Sequence, residues 1–309
     1  MRGLIIRTTG QSYIALTAER QEVECIVKGN FRLRDIHSTN PVAVGDYVTL
    51  HKQADNQPFF ITEIEDRRNY IIRRSTNLSK QSHIIASNID QLALLITLHH
   101  PETSTTFIDR CLATAEAYRI PAMLIFNKID LLSDTSELTA MINLYRGIGY
   151  ECLAISALRL GDDKQSLTAL LRGKRTLLSG NSGVGKSTLL NALLGADYAR
   201  TAPISEVHDT GMHTTTFSQM YPMSDADDTW IIDTPGIKGF GSYDMTKEEM
   251  SHYFRDIFSL SADCRFYNCT HTHEPGCAVG KALQQGTLAP SRYNSYLNML
   301  QDIDETKYR

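Results

Sequence analysis

The spacing of apolar residues changes along the chain, and the changes divide it. Residues 1 to 72 carry short apolar runs at 3–8, 12–17, 22–27, 47–51 and 59–65, without a long helical stripe. Turn-forming residues such as Asn40-Pro41 and Val44-Gly45-Asp46 separate the third run from the fourth. Five short strands of this kind predict a small β-barrel, OB-like or SH3-like. Residues 73–90 are polar and read as a linker. Residues 91–98 form a continuous apolar run, as expected of a strand covered on both faces of a parallel sheet. Phe107, Cys111, Leu112, Ala115 and Tyr118 then recur at helical spacing, followed by a strand over 122–126. A second unit repeats the pattern, with a helix over 137–145 and a strand over 152–155. Residues 176–179 read as another buried strand, and Leu189, Leu190, Leu193 and Leu194 as a helix after it.

The last part is helical. Thr246-Lys247-Glu248-Glu249 is a capping box ahead of a stripe at Met250, Tyr253, Phe254, Ile257 and Phe258, expected in the core. Helices are predicted over 278–285 and 291–303, the second capped by Ser291, with Tyr296, Leu297, Leu300 and Ile303 on its apolar side. The pattern predicts a multidomain α/β protein: a barrel over 1–72, a mostly parallel sheet with helices on both faces over 73–245, and a helical domain over 246–309.

Composition narrows the class. The 309 residues suit two or three domains. No apolar run approaches the roughly 18 residues that span a membrane, and the N-terminal apolar stretch is too short for a signal peptide. A cytoplasmic protein with no membrane partner is expected. The formal charge of −4 gives no global basic field. Arg67, Arg68, Arg73 and Arg74 form a local basic run that is either a solvated face or a docking point for a polyanion. Cys25, Cys111 and Cys152 sit in apolar contexts and read as buried thiols.

The chemistry lies in loops that follow strands. Gly180-Asn181-Ser182-Gly183-Val184-Gly185-Lys186-Ser187 fits the phosphate-binding loop, between a strand and a helix as that motif requires. Its glycines let backbone N–H groups converge on a polyphosphate at a helix N-terminus. Lys186 can reach the β- and γ-phosphates, Ser187 can offer a hydroxyl to Mg²⁺, and Thr188 adjoins the nucleotide. Asn127-Lys128-Ile129-Asp130 ends a strand. The Asp130 carboxylate can accept two hydrogen bonds from guanine, which adenine cannot donate. Asn127 and Lys128 brace the loop and cover the base. Ser156-Ala157, after the next strand, fits a backbone contact to the base. Asp233-Thr234-Pro235-Gly236 fits a magnesium-side acid followed by a glycine whose N–H meets the γ-phosphate. In the polar segment before it, Thr214, Thr215 or Thr216 can complete magnesium coordination. Thr214 is taken as a nucleotide contact and Thr215 as the metal ligand. Ile237 follows Gly236 where Ras-type enzymes place a water-orienting Gln, so slow intrinsic turnover is expected. His213 is the candidate for positioning the water, against a plain loop histidine. Cys264-x4-Cys269-x-His271-x5-Cys277 suits one closed, structural Zn²⁺, with His273 as the rival fourth ligand.

The order of these motifs is unusual. The base-reading loop and Ser156-Ala157 precede the phosphate loop, whereas ordinary GTPases run the other way. With the barrel in front and the Cys/His cluster behind, the whole chain resembles the ribosome small-subunit-dependent GTPase A family. That resemblance implies an OB-fold, a circularly permuted P-loop GTPase domain and a C-terminal zinc-binding domain. It implies GTP, GDP and Mg²⁺ as ligands, with Lys186, Thr215 and His213 at the chemistry. It also implies hydrolysis stimulated by the small ribosomal subunit during late maturation of that particle, with the subunit and its 16S rRNA as partners of a monomer. A nucleotide-gated RNA- or ribosome-binding module with negligible catalysis is the alternative. An ATP-using enzyme is disfavoured by Asp130.

Overall fold

A computed structural model describes residues 1–9, 12–27, 41–52, 57–74, 82–161, 163–195, 218–224, 228–234 and 245–307. The first five strands are β1 (Arg2–Thr8), β2 (Tyr13–Thr17), β3 (Glu22–Val27), β4 (Tyr47–His51) and β5 (Phe59–Ile64). They pair as β1-β2-β3-β5-β4, and β4 returns to β1, so the barrel closes. Alternation along β1 sends Ile5 into the barrel core, with Tyr13, Ala15, Cys25, Val48, Leu50 and Ile61. Its neighbours Leu4 and Ile6 point the other way, into the core of the next domain. One strand therefore serves two cores.

The segment read as a linker is partly a hairpin. β6 (Tyr70–Arg74) and β7 (Ser82–Ser87) pair antiparallel, and Ile71, Ile84, Ile85 and Ala86 are buried. Polar flanks hide so short an apolar core in the sequence. The joint to the barrel is also polar and buried: Arg67 donates to both Asp46 oxygens, at 2.7 and 2.6 Å, and Ser87 Oγ donates to Asp46 Oδ1 at 2.6 Å. Arg67 is thus an internal strut, and Arg68 pairs with Asp90 at 2.6 Å. The Arg68 side chain stays 61% exposed, and the side chains of Arg73 and Arg74 lie outside the described residues.

The central sheet contains β8 (Gln91–Ile96), β9 (Ala122–Phe126), β10 (Glu151–Ala154), β11 (Arg175–Gly180), β12 (Gln219–Ser224) and β13 (Thr229–Asp233). Its order is β10-β9-β8-β11-β13-β12, parallel except for β12. Four helices cover it: α1 (Thr105–Ala117), α2 (Ser136–Gly147), α3 (Asp163–Leu171) and α4 (Lys186–Leu194). Leu92, Leu94 and Ile96 of β8 pack with α1 and α2, while Ala93 and Leu95 pack with α3 and α4. Both faces are covered, which is why β8 reads as an unbroken apolar run. β12 also pairs with β1, through Arg7 opposite Gln219, so barrel and central sheet form one eleven-stranded sheet.

The C-terminal part holds α5 (Arg255–Ser261), α6 (Ala278–Gln284) and α7 (Pro290–Lys307). The capping box forms, with Thr246 Oγ1 and Glu249 Oε2 3.1 Å apart, but a 3₁₀ turn at Met250–Tyr253 follows it. Phe254 is extended, so the α-helix starts only at Arg255. Met250, Phe254 and Ile257 are buried, whereas Phe258 is exposed, the reset having turned it out of the stripe. Pro290 opens α7 ahead of the expected Ser291 cap, its fixed φ suiting a first helical turn. Arg292 of α7, 1% exposed, donates to Asp109 of α1 at 2.6 Å and to Asp256 of α5 at 2.8 and 2.9 Å. Tyr145 of α2 donates to Asp109 as well. Burial holds the Asp109 carboxyl above its ordinary range, although Arg292 pulls it back.

Candidate functional site

The parallel strands end in step. Leu95 lies beside Gly180, Ile96 beside Phe126, Phe126 beside Ala154, and Leu178 beside Asp233. The loops after β9, β10, β11 and β13 therefore emerge along one carboxyl edge, where open α/β sheets bind ligands. These loops carry the Asn127, Ser156, Gly180 and Asp233 motifs.

Asn127 ties three of them together. It is buried; its Nδ2 donates to the Val184 carbonyl and its Oδ1 accepts from the Ala157 N–H, both at 2.8 Å. Gly185 needs to be glycine here: its φ is +98°, and a Cβ would lie 2.4 Å from Asn127 Nδ2. Gly180, at φ +146°, passes so close that a Cβ would meet the Leu95 carbonyl oxygen at 2.5 Å. The Ala157 N–H is held by Asn127, and Ser156 Oγ is buried without a partner among the described residues. Lys128 is left-handed at φ +62°, and its Nζ donates to the His100 carbonyl. Asp130 is exposed, in a 3₁₀ turn over Ile129–Leu131.

At the phosphate loop, Lys186 Nζ donates to the carbonyls of Gly180 and Asn181, each at 2.7 Å. Burial pushes the Lys186 ammonium down to about 8, opposed by the charge of Asp233. Ser182, Gly183 and Val184 complete the loop, with Gly183 at φ +83°; Ser187 and Thr188 lie in the first turn of α4. Ser179 Oγ and Thr234 Oγ1 are buried without partners among the described residues, at the ends of β11 and β13. A buried acid and a buried ammonium beside a helix start fit magnesium-bound polyphosphate. His213, Thr214, Thr215 and Gly236 lie outside the described residues.

A second cluster lies in the C-terminal part. The ligand atoms of Cys264, Cys269, His271 and Cys277 all lie within 4.8 Å of one another. His271 Nδ1 is 3.6 Å from the sulfurs of both Cys264 and Cys277. Tetrahedral zinc, with Zn–S about 2.3 Å and Zn–N about 2.0–2.1 Å, separates nitrogen from sulfur by about 3.6 Å, so the set fits that ion. Burial pushes the Cys269 thiol up to about 12, helped by the neighbouring thiols, and lowers His271, which favours the neutral, ligating imidazole. His273 is exposed and its Nδ1 pairs with Thr272 Oγ1 at 2.8 Å, away from the cluster.

Glu274 is a residue the sequence reading passed over. Its Oε1 accepts from the N–H and hydroxyl of Thr270, and its Oε2 from the N–H groups of Thr272 and His273. These bonds hold its carboxyl down at about 2 and shape the turn that presents His271. An acid midway between two ligands was the available signal. Tyr293 and Tyr296 of α7 hold the same turn through the carbonyls of His271 and Thr270.

A glycine-rich phosphate cradle beside an Asn-Lys-x-Asp loop, on the carboxyl edge of a mostly parallel sheet, defines a P-loop GTPase. The base-reading loop precedes the cradle in the chain, so the domain is circularly permuted. The sequence model of the RsgA GTPase family matches residues 64–243, and that of the RsgA N-terminal domain matches residues 2–59. The chain belongs to the RsgA GTPase family. It is 57% identical to a small ribosomal subunit biogenesis GTPase RsgA of Phocaeicola vulgatus, covering 100% of this chain and 99% of that one. A protein of the same name from Porphyromonas gingivalis is 52% identical, with the same coverage. Among solved structures, YjeQ from Thermotoga maritima superposes with a TM-score of 0.75 at 28% identity, covering 97% of each chain. YloQ, a circularly permuted GTPase, gives a TM-score of 0.70 at 28% identity over 100% of this chain and 96% of its own.

Proposed function

We propose that this protein hydrolyses GTP to GDP and phosphate, stimulated by the small ribosomal subunit, during late maturation of that subunit. The observation that carries the reading is Asn127, which links the base-reading loop, the Ala157 loop and the phosphate loop by side-chain hydrogen bonds. The names of full-length relatives support the ribosomal part. On this reading residues 1–72 are an RNA-facing barrel, 73–245 the permuted GTPase, and 246–309 a zinc domain. The partners are the small subunit and its 16S rRNA, the chain acts as a cytoplasmic monomer, and Cys264, Cys269, His271 and Cys277 hold one structural zinc.

Asp130 accepts from guanine, with Lys128 lying over the base. The N–H groups of residues 180–188 cradle the phosphates, and Lys186 turns from the carbonyls of Gly180 and Asn181 to the β- and γ-phosphates. Ser187, Thr215 and Asp233 would hold magnesium, which supplies charge neutralisation as the phosphoryl group transfers. Thr214 and the Gly236 N–H meet the γ-phosphate end. Ile237 cannot orient water, so His213 positions the attacking water when the subunit is bound. GTP turnover, measured with and without small ribosomal subunits and against ATP, tests the proposal. Stimulated, GTP-selective turnover is expected. Equal use of ATP, or indifference to subunits, would refute it.

A further inference from the structure

Between the metal ligands Cys264 and Cys269 the chain exposes Arg265, Phe266, Tyr267 and Asn268 in succession. Phe266 is 40% exposed, and no described residue covers the ring of Tyr267. The loop that carries them is fixed. Cys269 N–H donates to the Phe266 carbonyl at 3.2 Å, and Arg265 N–H donates to the Gly276 carbonyl at 3.3 Å. Gly276 lets the two segments meet: it sits at φ +78°, and a Cβ there would lie 3.2 Å from that of Arg265. The Arg265 guanidinium stands 5.3 Å from the Phe266 ring centre and makes no ion pair among the described residues. Asp263 is exposed just ahead of the loop, and Glu274 has both oxygens engaged within the turn.

Rings held out on a rigid, polar knuckle do not resemble a protein-docking patch. Such patches seat their aromatic anchors in well-packed, desolvated surroundings, whereas Phe266 and Tyr267 project from a turn flanked by the exposed Asn268, Thr272 and His273. A base needs only a ring face and a nearby cation for its phosphate. We propose that Phe266 and Tyr267 form a stacking platform for an unpaired RNA base, with Arg265 meeting the adjoining phosphate. This rests on the ribosomal reading above.

The test compares the full-length, zinc-loaded chain with Tyr267→Ala, Tyr267→Phe and Phe266→Ala variants in binding to isolated small ribosomal subunits. A photo-crosslinking phenylalanine analogue at position 267 identifies what the ring touches. Zinc content checks that each variant keeps its fold. Tyr267→Ala is expected to weaken binding roughly 5- to 150-fold, the range for one stacked base. Tyr267→Phe retains the ring and is expected to bind like the parent, with the crosslink on an unpaired nucleotide. If the parent binds and Tyr267→Ala binds equally, or if the crosslink falls on a protein, the platform is overturned and the ribosomal reading stands. If the parent itself does not bind subunits, both fall.

Discussion

Asp130 is exposed, on a loop whose backbone is pinned through Asn127, and in the proposed function its carboxylate takes the base. Asp130→Asn should weaken GTP and favour xanthosine triphosphate, whose 2-oxo group needs a donor. Unchanged GTP affinity in nucleotide titrations would remove the base-reading role. Lys186 gives a pH-dependent counterpart. Burial has lowered its proton affinity to about 8, so above that pH the nucleotide-free ammonium is largely neutral. A bound polyphosphate favours the charged form. GTP binding should therefore take up a proton, and affinity should fall as pH rises past about 8. Calorimetry in two buffers of different ionisation enthalpy reads that uptake directly, and equal heats would contradict it.

Among the elements, the metal turn depends most on its surroundings. Cys269→Ala should abolish stoichiometric zinc and unfold residues near 264–277 locally, as read by hydrogen exchange, because ligand binding there contributes folding energy. Glu274→Gln should keep the fold but weaken zinc on the order of tenfold in a chelator competition, since it orients the turn without touching the metal. The strands and helices that bury whole faces were legible in the sequence: β8 from its unbroken apolar run, α1 from its stripe, the phosphate loop from its spacing. The β6–β7 hairpin was not, because strand formation depends on neighbours that sequence spacing does not reveal. Phe258 was misassigned for a similar reason. The extended residue Phe254 resets the helical phase, and a stripe counted from Met250 runs past that break. Arg67 looked like surface charge until Asp46 was found beside it.

In the whole molecule, the short path from Asp233 to Thr246 suggests that nucleotide state shifts the zinc domain. The buried Arg292 pairs argue for a locked joint to α1 instead. Arg292→Ala leaves Asp109 buried and uncompensated, so denaturant unfolding should show a loss of about 3–5 kcal/mol. A loss below about 1 kcal/mol would mean that apolar packing alone holds the joint. Hydrogen exchange over residues 246–260 should be the same with GDP and with a non-hydrolysable GTP analogue, while β12, which adjoins the segment before it, responds. The permuted order was readable from motifs, and the barrel from its five short apolar runs. The joints between domains were not, since Arg292 and Asp109 stand 183 residues apart.

The continuity of the sheet also governs what the folded protein can recruit by backbone pairing. At one end the ladder runs through β12, which meets β1 at the Arg7–Gln219 pair, into a barrel that closes on itself. The other end is β10, only 4 residues long and beginning with the exposed Glu151. Arg146 donates to its Cys152 carbonyl at 2.7 Å, occupying an acceptor that a foreign strand would need. A short, charged and partly capped border resists templated aggregation.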